Sequence, residues 1–175
     1  MSKVNFVNTV SINELRTIIP LIGGELTPVI QSEPGCGKTS LLSMMREDLG
    51  DAYDYIYVDC PVKDMSDIGM TIPNHETRQL EYYVSSLFML DSPKPKVILL
   101  DEFMKAPKLL QVVFTRLMLE RMVGDVPLPD GSIVFDGIDI QIVDNGGWSG
   151  FIFPASRNYA GSIREYSVRF AKRLW

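Results

Sequence analysis

The chain has 175 residues, 46% hydrophobic and 22% charged, with a formal net charge of −5. Such a composition fits roughly one globular domain with a sizeable core, excludes a fibrous or low-complexity chain, and gives an average field that repels nucleic acid. Cys36 and Cys60 have neither metal-site nor disulfide-framework spacing, no apolar run reaches the length of a membrane span, and residues 1–10 are too polar for a signal peptide, so a cytoplasmic protein is expected.

In chain order, residues 1–10 read as an arm that frays or pairs at a sheet edge. From Ser11 the run SINE predicts a capping box, in which Ser11 and Glu14 each satisfy the other's backbone amide, opening a helix that ends before Pro20. Gly23 and Gly24 then turn the chain into a buried strand over residues 27–31. SEPGCGKTS, residues 32–40, follows that strand and precedes LLSMMREDLG, which is the strand, glycine turn and helix order of a phosphate-binding loop. Gly35 and Gly37 let the backbone turn sharply and approach a ligand with no Cβ in the way. A helix starting near Lys38 aims its unpaired amides and positive dipole end at the same place. Pro34, Gly35, Cys36, Gly37, Lys38, Thr39 and Ser40 are therefore the expected nucleotide binders. Lys38 would reach the β- and γ-phosphates, and the Thr39 hydroxyl would hold Mg²⁺. The pattern departs from G-x-x-x-x-G-K-[ST] at Ser32, where the first glycine usually stands.

Leu41, Leu42, Met45 and Leu49 recur at helical spacing opposite Arg46, Glu47 and Asp48, so an amphipathic helix should cover the sheet until Gly50 ends it. Residues 53–59 read as a second strand, and strand alternating with helix points to a parallel sheet with helices on its faces. Residues 60–75 carry Pro, Gly and Asp breakers and read as a long loop with one helical turn. His75, the single histidine, lies there with no identifiable partners. A strand over residues 81–85 and a short helical piece are expected next. KVILLDEF, residues 96–103, is a strand buried on both faces with two carboxylates at its C-terminal end, where open α/β sheets bind ligands. Asp101 is expected in the Mg²⁺ shell, and Glu102 should polarise the water that attacks the γ-phosphate. A water-activating glutamate favours hydrolysis over transfer to a bound acceptor. Pro107 suits the first turn of a helix whose apolar stripe is Leu110, Val113, Phe114, Leu117 and Met118. Gly124 should break that helix, and residues 123–135 read as a hairpin around Pro129-Asp130-Gly131.

SEPGCGKTS, VILLDEF and APKLLQVVFTRLMLERMVGDVPLPDGSIVF together resemble the AAA+ ATPases, and most of all the MoxR-type and related phage ATPases, over about residues 20–135. The resemblance implies a P-loop NTPase three-layer α/β sandwich with a mostly parallel sheet, ATP and Mg²⁺ as ligands, and Lys38 and Glu102 as catalytic residues. It further implies a ring, hexameric in the family, that remodels a protein partner, in the host cytoplasm for a phage-encoded chain. Residues 1–135 would form this core. Residues 136–175 depart from it. The family continues into a polar residue that positions the attacking water, and Asp136, Asp139 and Asn145 are near without matching that pattern. Arg157 stands where an arginine finger would follow, while Arg164, Arg169 and Arg173 belong to a basic amphipathic end segment. No helical lid is encoded before Trp175. Two explanations stay open: a change of reading frame near Asp136, or a naturally short variant whose tail closes the sheet differently. The functional expectation is ATP binding and hydrolysis; the alternative is a nucleotide-binding module or truncated subunit with little turnover.

Overall fold

The computed structural model describes residues 10–32, 37–139 and 149–154. Helix α1 (Ile12–Ile22) leads into strand β1 (Leu26–Ser32), helix α2 (Lys38–Leu49) and strand β2 (Asp54–Asp59). A short helix α3 (Met65–Ile68) precedes strands β3 (Gly69–Asn74) and β4 (Gln79–Val84). Strand β5 (Lys96–Asp101) and helix α4 (Lys108–Glu120) follow, then the short strands β6 (Met122–Val123) and β7 (Val126–Pro127), and finally β8 (Ile133–Asp139) and β9 (Ser149–Pro154).

The central sheet has the order β2-β5-β8-β1-β9. Its first four strands run parallel, and β9 lies antiparallel on the outer edge of β1. Strand β8 is thus inserted between β1 and β5, and the C-terminal ends of all three open onto one rim, where α2 begins. Two cores flank the sheet. Leu15 and Ile19 of α1 and Leu41, Leu42 and Met45 of α2 pack on Val97, Leu99, Ile133 and Phe135. On the other face Leu110, Phe114, Leu117 and Met118 of α4 pack on Ile98, Leu100 and Val134. This makes a three-layer α/β sandwich. Alternate residues of β5 supply both faces, so the run Val97 to Leu100 is wholly buried and must be continuously aliphatic.

The capping box forms as expected, with Glu14 Oε2 accepting from the Ser11 amide at 2.6 Å and Ser11 Oγ accepting from the Glu14 amide at 3.3 Å. Three readings need correction. Helix α1 does not stop before Pro20 but continues through it to Ile22; Pro20 forgoes one intrahelical bond, buried Ile19 anchors the turn, and the Gly23 amide closes it on Ile19 O at 2.7 Å. The expected loop contains a strand, β3, paired in register with β4 from Gly69↔Val84 to Asn74↔Gln79. The hairpin after α4 turns at Gly124 rather than Pro129: Val123 pairs with Val126, and β8 joins the central sheet instead. It is Arg121, in left-handed conformation at φ 55°, that closes α4. The N-terminal arm and the arginines of residues 155–175 lie outside the described residues, of which no helix is long and apolar enough to cross a membrane.

Candidate nucleotide site

Gly37 stands immediately before α2 with φ +86°, a conformation that a side chain would strain, and its carbonyl accepts the Leu41 amide at 3.2 Å. Lys38, the first helical residue, is buried, whereas Thr39 and Ser40 are exposed at the helix start. Pro34, Gly35 and Cys36 lie outside the described residues.

The Lys38 side chain runs over Gly137 of β8. A Cβ on Gly137 would stand 2.8 Å from Lys38 Cδ and 3.3 Å from Asp101 Oδ1. Glycine therefore leaves the gap through which a cation from α2 and a carboxylate from β5 converge. Asp101 ends β5; its Oδ2 accepts the Tyr57 phenol at 2.8 Å, while its Oδ1 is buried with no hydrogen-bond partner. Burial, and then the bond to Asp101, push the Tyr57 phenol upwards from its ordinary pKa. Glu102 leaves the strand in left-handed conformation at φ 53°. Its amide donates to Gly137 O at 2.7 Å and its Oε1 accepts Lys105 Nζ at 2.6 Å. The sequence-predicted Lys38, Asp101 and Glu102 are thus gathered at one rim.

Asp101 Oδ1 is an acceptor in want of a cation, and this is what a Mg²⁺ site asks of its carboxylate. No three His, Cys, Asp or Glu side chains gather as a metal cage among the described residues. Mg²⁺ commonly takes one or two protein carboxylates and completes its shell with phosphate and water, so Asp101 with Thr39 fits that chemistry.

Asp136 belongs to the opposite face, since β8 alternates and Gly137 is the residue turned to Lys38. It is fully buried, and neither carboxylate oxygen has a hydrogen-bond partner. Burial raises its pKa to about 7; the amides of Phe103 and Gly137, near but outside hydrogen-bond geometry, and the charge of Lys38 offset this only in part, and Asp101 adds to it. The neighbouring Cys60 thiol is pushed upwards by burial first and by Asp136 second. The side chain of Asp139 and all of Asn145 lie outside the described residues.

Sequence reasoning missed Tyr57 and Gly137. The first had a signal: β2 and β5 pair in parallel with Asp59↔Asp101, so Tyr57 shares the face of Asp101, one diagonal step away.

The parallel sheet, the left-handed glycine before α2, the buried lysine and the strand-end carboxylates define a P-loop NTPase domain. Residues 28–125, more than half of the chain, match the viral superfamily 1 RNA helicase core domain, and the chain belongs to that family. Among solved structures, a Cytophaga hutchinsonii protein provisionally named an ATPase shares 19% identity at TM-score 0.46, over 77% of this chain and 40% of that one. NtrX from Brucella abortus shares 15% identity at TM-score 0.46, over 78% of this chain and 32% of that one. The chain therefore spans less than half the length of either. No curated protein matches it by sequence.

Proposed function

We propose that the chain binds ATP across residues 35–40 and hydrolyses it at the rim formed by α2, β5 and β8. The observation that carries this reading is the meeting of Lys38 of α2 and Asp101 of β5 over Gly137 of β8, where a side chain would crowd both. Lys38 would bind the β- and γ-phosphate oxygens, as a charge-assisted donor preorganised by burial. Thr39 and Asp101 would hold Mg²⁺, which when bound supplies charge neutralisation at the phosphates. Glu102 would take the proton of the attacking water, and for that its carboxylate must turn from Lys105 towards the γ-phosphate. The AAA+ resemblance of the sequence, of MoxR type, adds a ring and the remodelling of a protein partner; the net charge of −5 agrees with a protein partner better than with a phosphate backbone.

The family match favours a second reading of the output, translocation on RNA, with the same nucleotide chemistry. Turnover measured with Mg²⁺·ATP, using Lys38→Ala as the blank, tests the primary reading: equal turnover in both chains rejects it. Adding single-stranded RNA separates the outputs, since a rise in turnover that fades with salt is expected only of the second.

A further inference from the structure

The site as assigned uses Lys38, Thr39, Asp101 and Glu102 and leaves Tyr57 without a task. Its phenol, on the outermost parallel strand, crosses from β2 to a carboxylate of β5 and donates to Asp101 Oδ2 at 2.8 Å. Tyr57 is 39% exposed and belongs to neither hydrophobic core, so only its hydroxyl end, at Asp101, is sheltered from water. A carboxylate with both oxygens free can rotate about χ2 and offer either one, because that torsion is broad and two-fold. With Oδ2 engaged by Tyr57, only Oδ1 is left, and Oδ1 is the oxygen beside Gly137, 3.3 Å from where a Cβ would stand and without a partner of its own. The two oxygens are equivalent, so what the hydrogen bond fixes is the carboxylate plane, holding one oxygen on Tyr57 and the other in the gap shared with Lys38.

We propose that Tyr57 is a positioning residue that orients Asp101 towards Mg²⁺·nucleotide; this rests on the phosphate-site reading above. It acts through Asp101 and touches no reacting atom.

The test uses the full chain and the fluorescent probe mant-ATP, titrated once with EDTA and once with Mg²⁺. Tyr57→Phe keeps the ring and removes only the donor. Metal-free affinity should be unchanged, while the tightening produced by Mg²⁺ should shrink by roughly tenfold or more, the worth of one hydrogen bond to a charged group. In an Asp101→Asn background the same substitution should change nothing, an outcome that a merely structural role for the ring does not produce. Equal Mg²⁺ enhancement in Tyr57→Phe and the unmodified chain, with binding still lost in Lys38→Ala, overturns the assignment of Tyr57 alone. Failure of the unmodified chain to bind mant-ATP in either condition overturns the phosphate-site reading and this assignment with it.

Discussion

In the proposed site Lys38 and Glu102 would make separable demands on one phosphate chain, and substitutions should separate them. Removing the Lys38 ammonium takes away a charge-assisted donor worth roughly 2 to 3 kcal/mol, so Lys38→Ala should weaken ATP binding on the order of a hundredfold in a direct titration. Glu102→Gln leaves the cradle whole and removes the proton acceptor; affinity should stay within about twofold while turnover falls by roughly 10²- to 10⁴-fold. Loss of binding in Glu102→Gln would count against its assigned role. Asp136 carries a different prediction. Its folded pKa of about 7 lies above the ordinary carboxylate value, so the folded chain holds a proton that the unfolded chain has released. Stability from this group is fully present below pH 4, where both states are protonated, and is lost as pH rises through 7. The total change is on the order of 4 kcal/mol. Thermal melts should fall from pH 5 to pH 8 in the unmodified chain, and the slope should flatten in Asp136→Asn. A flat profile in the unmodified chain would mean that the carboxyl finds a partner in solution.

Burial of a face made most elements legible in the sequence, although β8, buried from Ile133 to Asp136, was read as half of a hairpin. The strand, glycine turn and helix around Gly37 could be read because each neighbour has its own period and the glycine sits where φ turns positive. The aliphatic run of β5 could be read because two covered faces leave no polar alternation. Strand β3 could not: Met70, Thr71, Ile72 and Pro73 are all exposed, so there is no inside to impose a period of two, and Pro73 argues against a strand. Its anchor is instead a contact invisible in sequence. Tyr82 of β4 lies over Gly124, where a Cβ would stand 2.1 Å from its Cε1. Asp136 escaped for a related reason, since an acid in a core strand looks like the end of that strand. Arg121 is a third case. Its guanidinium donates to Gly23 O at 2.7 Å, Leu26 O at 2.9 Å and Thr27 Oγ1 at 2.6 Å, joining the end of α4 to the start of β1, and burial lowers its pKa to about 10. Arg121→Met should remove the guanidinium donors from Leu26 O and Thr27 Oγ1 and leave Gly23 O only the long bond from the Val134 amide, destabilising the fold by about 3 kcal/mol in urea titration. ATP affinity should hold, because these bonds are made at the end of β1 remote from Gly37.

At the scale of the whole molecule, the proposed phosphate site has Lys38 as its assigned cation, while Lys105 at the same rim is held on Glu102. Arg16 is paired with Asp48, Arg46 lies over the Tyr55 ring at 5.0 Å, Arg116 is bound to Glu120 and Asp125, and Arg121 clamps β1, while Arg78 is exposed in the turn between β3 and β4. Charge developing on the γ-phosphate in hydrolysis exceeds what one lysine offsets in related chemistry, where an arginine contributes about 10³- to 10⁵-fold. If an arginine supplies that contribution, Arg157 is the candidate the sequence offers, and the two possible sources differ in order of reaction. One carried by the same chain gives turnover per chain independent of protein concentration. One lent by a neighbouring subunit gives turnover per chain that rises with concentration until the sites are shared, as a ring requires. We expect the second, with Arg157→Ala abolishing the rise and leaving mant-ATP affinity intact. Steady-state turnover over a hundredfold range of protein, with Lys38→Ala as the blank, decides it: a flat response above the blank rejects a shared site, and no response above the blank together with normal mant-ATP binding leaves a nucleotide-binding domain that does not turn over.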